Sequence, residues 1–162
     1  MKTTFRQQRQ SGFSLVEAIF TIAIIGIMSS IVVAAISNAA RDSYSVMSRQ
    51  QQASVQSALT AWVMAQTRVG STAQFQSLEN VRLSYNSQPT SLARFNLLVP
   101  NVNSADPSQR AGFVDQTTAD QFLNSTTNAT QLQSDALYNS QQYLSLPDWQ
   151  SGDFPHVNLI TQ

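Results

Sequence analysis

Three carboxylates and one imidazole are the side chains whose placement could do chemistry. His156 is the only histidine, and it follows Asp153 by three residues. A general base needs a nucleophile in reach and a third group to orient it, and the sequence around His156 arranges neither. Asp148 and Asp153 could offer a few of the six to eight oxygens that calcium takes. Their spacing is not that of a calcium loop, and turn-forming aspartates are the simpler account. The chain has no cysteine, which excludes disulfides, thiol nucleophiles, iron–sulfur clusters and zinc ribbons. It also has no zinc-protease helix motif, phosphate-binding loop, dinucleotide glycine pattern or nucleophile elbow. No enzyme activity, metal or cofactor is expected. The remaining carboxylate, Glu17, is the only charge within residues 13–36.

Glu17 is costly where it stands. Residues 13–36 form a 24-residue apolar run from Phe13 to Ile36. As a helix they would span roughly 36 Å at 1.5 Å per residue, enough for a hydrocarbon core of about 30 Å. A charge in such a helix costs about 2.5–3.5 kcal/mol at the centre and less near an end. Lys2, Arg6 and Arg9 lie before the run with no acid among them. That asymmetry predicts a cytoplasmic N-terminus and an exported remainder.

The run admits three readings. A cleaved signal peptide would use the small residues of Ser37-Asn38-Ala39, but the run is longer than a usual apolar core and carries a carboxylate near its start. A plain anchor accounts for length and flanks, with Glu17 as a helix-start carboxylate favoured by the helix dipole. The third reading gives Glu17 a partner. Gly12-Phe13-Ser14-Leu15-Val16-Glu17 resembles the prepilin cleavage motif of type IV pilins and type II secretion pseudopilins. Gly26, fourteenth after the Gly12–Phe13 junction, matches a position often held by glycine in that family. The resemblance covers residues 9–36.

The resemblance implies that a membrane prepilin peptidase cuts after Gly12 and that Phe13 is then N-methylated. Gly12 suits such a cut because it presents no side chain. Cleavage would create an α-amine on Phe13 with a reference pKa of about 7.7–8.0. The family arrangement pairs Glu17 of one subunit with the Phe13 amine of its neighbour. A buried carboxylate lacking such a partner would be disfavoured or would take up a proton. The family often carries a proline at the position of Ala34, and here the first proline is Pro89. The helix should therefore be straighter there, which tilts the reading from a major pilin toward a pseudopilin or minor subunit.

The elements that position these residues follow from pattern. Residues 37–69 contain no proline or glycine. Tyr44, Met47, Val55, Ala58, Leu59, Trp62, Val63 and Val69 recur at spacings of three and four, with Gln51 and Gln66 filling gaps, as on one face of a helix. Gly70 is a plausible stop. One helix from Phe13 to Val69 would be roughly 85 Å long. Residues 70–162 read as a small α+β head. Its candidate strands are Val81–Tyr85, Arg94–Val99, Gly112–Asp115, Tyr143–Leu146 and His156–Ile160, separated by prolines. Thr117 or Thr118 would cap a helix through Leu123, and Asn128 one through about Tyr138.

The expected organisation is a leader over 1–12, a membrane-spanning assembly segment over 13–36, an amphipathic half-helix over 37–69 and an extracytoplasmic head over 70–162. The fold class is α+β and pilin-like, with the second half of a very long helix packed on a small antiparallel-sheet head. The resemblance implies a structural subunit of a pilus or secretion pseudopilus. Its partners would be copies of itself or related subunits, the prepilin peptidase and an inner-membrane assembly platform. A membrane-anchored binding or enzyme domain, and a soluble protein released near Ala39, are the rivals. Beyond Gly12 the chain has six basic and nine acidic residues, and its arginines are scattered singly. No nucleic-acid footprint is present.

Overall fold

The computed structural model describes residues 12–68, 77–101, 103 and 110–162. It divides into two compact units, Met1–Ala40 and Arg41–Gln162. The elements are α1 (Leu15–Arg68), α2 (Leu78–Asn86), α3 (Ser91–Asn96), α4 (Gln116–Ser125), α5 (Asp135–Asn139), β1 (Gln142–Ser145) and β2 (Asn158–Thr161). The fold is α+β and pilin-like: a 54-residue N-terminal helix and a small C-terminal antiparallel pair of strands.

In the first unit the helix begins two residues after the expected Phe13. Ser14 caps it: the Glu17 N–H donates to Ser14 Oγ at 3.2 Å and the Ala18 N–H to the Ser14 carbonyl at 3.1 Å. A capping serine satisfies one of the donors a helix start leaves open. The hydroxyls within the run turn inward on the helix itself. Thr21 Oγ1 donates to the Glu17 carbonyl at 2.8 Å and Ser30 Oγ to the Ile27 carbonyl at 2.7 Å. Such back-bonding lets hydroxyls sit in an apolar segment without an unmet donor. With no proline at position 34, the helix continues through Ala34 without a break.

In the second unit the amphipathic half of α1 forms one wall of the core. Val55, Ala58, Leu59, Trp62 and Val63 are buried at alternating spacings of three and one, which is one helical face. They join Val81, Tyr85, Phe95, Leu98, Phe122, Leu132, Leu137, Leu144, Leu146, Trp149 and Val157 in one cluster. Tyr85 lies between the two tryptophans, its ring 6.1 Å from Trp62 and 6.3 Å edge-on from Trp149. Phe95 and Phe122 meet at 5.1 Å. The buried stripe starts at Ser48, while Met47 is exposed and Tyr44 only half-buried. Val69 and Gly70 lie outside the described residues.

The head is more helical than its alternation suggests. Val81–Tyr85 lies in α2, not in a strand. Val81 and Tyr85 are buried and Leu83 is 57% exposed, so the apolar pair is an i,i+4 pair and Leu83 faces outward. Ser77 Oγ caps this helix by accepting the Asn80 N–H. Arg94–Val99 is likewise no strand. Thr90 Oγ1 accepts the Ala93 N–H and starts α3, and Ser91, Arg94, Phe95 and Leu98 are buried at helical spacing. Gly112–Asp115 is a turn. Gly112 has φ +68° and lies so near Pro100 that an added Cβ would come within 2.6 Å of it. The Phe113 and Val114 N–H groups then both donate to the Leu98 carbonyl.

The expected caps also move. Asp115, not Thr117 or Thr118, caps α4, accepting the Thr118 N–H at 3.0 Å. That helix runs past Leu123 to Ser125. Asn128 starts no helix; its Oδ1 accepts the Thr130 N–H at 3.1 Å in a tight turn that bridges Gln131. Ser134 caps α5 instead, through the Leu137 N–H. The last two expected strands are present. Tyr143–Leu146 corresponds to β1, and His156–Ile160 to β2 shifted toward the C-terminus. Their register pairs Tyr143 with Ile160 and Leu144 with Leu159.

Candidate functional site

Gly12, Phe13 and Glu17 lie together at the entry to α1. Gly12 and Phe13 precede the helix and both are exposed, Phe13 by 75%. An added Cβ at Gly12 would meet nothing within 4 Å. Packing among the described residues therefore does not demand glycine at position 12. Glu17 stands in the first turn, where the open N–H groups and the helix dipole favour a carboxylate. Ser14-Leu15-Val16-Glu17 has the spacing of a capping box, of which the serine half is made. Among the described residues the Glu17 carboxylate has no partner.

The helix behind Glu17 is apolar all round. Its 18-residue window has a mean hydropathy of 2.6, and none of it is buried within the chain. Large side chains on every side stay open, among them Ile22, Ile24, Ile27, Met28, Ile31 and Val33. A helix apolar on all faces belongs in a membrane or inside a larger assembly, not in water. Membrane anchoring is consistent with its length and composition. Gly26 lies midway along, and an added Cβ there would also meet nothing within 4 Å. Glycine in a helix interior costs about 1 kcal/mol relative to alanine, and among the described residues no contact offsets that.

The head's polar residues are occupied with structure. His156 Nε2 is 3.1 Å from Asp153 Oδ2, and both side chains are more than half exposed. The Phe154 backbone N–H holds the Asp153 carboxyl below its usual range, with His156 adding to the effect. Asp148 pairs with Arg94, whose guanidinium also donates to the Leu146 carbonyl at 2.7 Å and lies 5.2 Å from the Tyr85 ring centre. Among the described residues, no group of three or more His, Cys, Asp or Glu side chains could hold a metal ion.

Sequence reasoning missed a polar seam along α1. Ser48, Gln52 and Gln56 recur every four residues beside the apolar stripe. Ser48 Oγ is 2.8 Å from Ser140 Oγ, Gln52 Nε2 donates to the Val157 carbonyl at 2.8 Å, and Gln56 binds both Pro155 and Val157. Gln51 Oε1 accepts from Ser134 Oγ at 2.7 Å. The i,i+4 recurrence of Ser and Gln along one edge of an apolar stripe was the available signal.

Comparison with curated proteins and with solved structures gives no match. Residues 7–33 match the family model of the prokaryotic N-terminal methylation motif, a segment that contains Gly12, Phe13, Glu17 and Gly26. At the head of its long apolar helix, this chain carries the type IV pilin and pseudopilin signature.

Proposed function

We propose that the chain is a structural, non-enzymatic subunit, a pseudopilin or minor pilin, of a type IV pilus-like filament or type II secretion pseudopilus. The observation that carries this reading is the methylation motif of residues 7–33 running into an apolar helix whose membrane-length window buries nothing within its own chain. Prepilin peptidase cuts between Gly12 and Phe13, and Phe13 is methylated. The anchored protein keeps its N-terminus in the cytoplasm and its head outside the inner membrane, as the basic residues before Gly12 favour. An assembly platform then draws it into a filament in the periplasm or at the cell surface. There the unpartnered Glu17 carboxylate meets the Phe13 amine of a neighbouring subunit, and Gly26 admits a close helix. The uninterrupted helix at Ala34 favours a pseudopilin or minor subunit over a major pilin.

Mass spectrometry of the N-terminus of protein from the native host tests this. An N-methylated Phe13 at the start is expected. A start at Met1 would instead support a domain that uses residues 1–36 only as an anchor. A start near Ala40 would support a released soluble protein.

A further inference from the structure

A polar hollow opens in the second unit. It is lined by Arg41, Ser45, Asn139, Ser140, Gln141 and Gln142. No acidic side chain lines it, and among the described residues the Arg41 guanidinium has no partner. Ser45 lies four residues after Arg41, on the same face of α1. The opposite wall is the turn after α5. Gln142 Oε1 accepts from Ser140 Oγ at 3.1 Å, which fixes that amide and leaves its NH₂ group as the free end. The Ala136 and Tyr138 carbonyls near the end of α5 are engaged, accepting the N–H groups of Ser140 and Gln141. The hollow thus gathers one cation and several neutral donors while the nearby helix-end acceptors are used. Gln141 adds a second sign. It is the only non-glycine with positive φ among the described residues, at +55°, in the left-handed region where glycine is the usual occupant of a helix end. A side chain is kept there at a conformational cost of about 1–2 kcal/mol.

We propose that this hollow binds a phosphate group, with Arg41 as the charged ligand and the Ser45, Asn139, Gln141 and Gln142 side chains as neutral donors. Guanidinium and amide donors are the groups that bind tetrahedral oxyanions. Arg41 follows the end of the apolar run at Ile36 by five residues in sequence, close to the end of a membrane-length segment. That position favours a phospholipid headgroup as the bearer of the phosphate, an assignment that rests on the membrane-anchoring reading. Free phosphate has the same chemistry.

The test uses the full chain in maltoside micelles, which contain no phosphate, with amide resonances followed by NMR. One series adds phosphatidylglycerol, a second adds inorganic phosphate and a third adds an uncharged glycolipid. Shifts at Asn139, Gln141 and Gln142 with phosphatidylglycerol but not with free phosphate assign a lipid site. Shifts with inorganic phosphate assign a site for the free anion. In either case Arg41→Gln should weaken binding by about tenfold, the loss of one charge-assisted contact. Gln141→Gly should also weaken it, while the head stays as stable as before or becomes more so. Absence of shifts in both phosphate series, equal shifts with the glycolipid, or unchanged affinity in Arg41→Gln would overturn the proposal. Co-elution of the chain with the micelles reports anchoring separately, so failure of the site is distinguishable from failure of the anchor.

Discussion

The Val157 backbone N–H donates to Gln56 Oε1 at 2.7 Å, while Gln56 Nε2 donates to the Pro155 carbonyl at 3.0 Å. One side chain of the long helix therefore satisfies the backbone on both sides of His156, just before β2 pairs with β1. These backbone groups gain no ladder partner until Asn158. Gln56→Leu keeps the bulk and removes both bonds, leaving partly buried backbone groups unmet. The expected cost is about 2 kcal/mol, from a typical penalty of about 1–3 kcal/mol per buried unsatisfied group. Both tryptophans, Trp62 and Trp149, lie in the head core, so urea unfolding followed by tryptophan fluorescence reads this unit. An unchanged midpoint would mean that the seam contributes nothing to stability.

Arg94 and Asp148 predict an asymmetric pair of effects. The Arg94 side chain is 7% exposed and that of Asp148 65% exposed. Removing Asp148 strands a buried cation with one carbonyl acceptor, whereas removing Arg94 leaves a carboxylate that water can reach. Arg94→Met also restores apolar packing against Tyr85. Replacing buried charges by apolar side chains of similar volume is often neutral. Asp148→Ala is therefore expected to destabilise the head more than Arg94→Met, by about 1–2 kcal/mol on the scale of hydrogen bonds to charged groups. The reverse order in urea midpoints would show that the exposed carboxylate is not the cation's main support.

The sequence was most legible where one force dominated. Burial cost alone marks residues 13–36, and the spacing of Val55, Leu59 and Trp62 marks the packed half of α1. The head was harder because short apolar segments fit either period. Val81, Leu83 and Tyr85 alternate as a strand would, yet Val81 and Tyr85 also stand one helical turn apart. The caps at Ser77 and Thr90, together with the aromatic packing around Tyr85, select the helix. Asp115 and Ser134 outcompete the expected threonine and asparagine caps because each is itself in the extended conformation that an N-cap takes. The Gly12–Glu17 segment was readable as a motif, but the partner proposed for it is another molecule. No property of one chain specifies that contact.

Head stability should fall in acid. The Thr118 hydroxyl and N–H hold Asp115 below its ordinary value, and the Phe154 N–H and His156 do the same for Asp153. The Arg82 hydrogen bond lowers Glu79 likewise. Each group binds its proton less readily folded than unfolded. Their stabilisation is present above the unfolded value near 4 and is lost as the pH falls through the lower folded values. Asp115→Asn retains a capping oxygen and loses the titration, so it should flatten the dependence below about pH 4 at little cost at pH 7. Asp115→Ala should cost about 1 kcal/mol at pH 7. Fluorescence-detected urea midpoints across that range would refute the cap's role if both variants tracked the parent.

Tyr85 offers a test at the other end of the scale. Among the described residues its buried hydroxyl has no hydrogen-bond partner, and burial pushes its pKa up to about 12. A phenol that stays neutral in the fold but ionises near 10 in the unfolded chain contributes stability that is complete below pH 10 and lost as the pH rises toward 12. Tyr85→Phe removes an unmet donor while keeping the ring between Trp62 and Trp149. It should be neutral or stabilising at pH 7, by up to about 1 kcal/mol, and should delay alkaline unfolding. A loss of more than about 1 kcal/mol at pH 7 would show that the hydroxyl has a partner in solution.

Gly26 and Glu17 separate what the helix needs for itself from what it needs for assembly. Among the described residues neither makes a contact that its type requires. Gly26→Ala should if anything strengthen the isolated helix, by about 1 kcal/mol, and Gly26→Leu only enlarges an already exposed apolar surface. Both variants should insert into membranes and be cut after Gly12 as the parent is. If a neighbouring helix approaches at Gly26, filament yield should fall from parent to alanine to leucine as the added volume grows. Glu17→Ala should likewise be cut yet assemble poorly, because the neighbouring Phe13 amine is left without its carboxylate. The measurement is the ratio of sheared filament to membrane-retained mature subunit, with cleavage scored on the same samples. Normal filament yield from Gly26→Leu would place the helix contact elsewhere along residues 13–36, and normal yield from Glu17→Ala would remove the charge pairing.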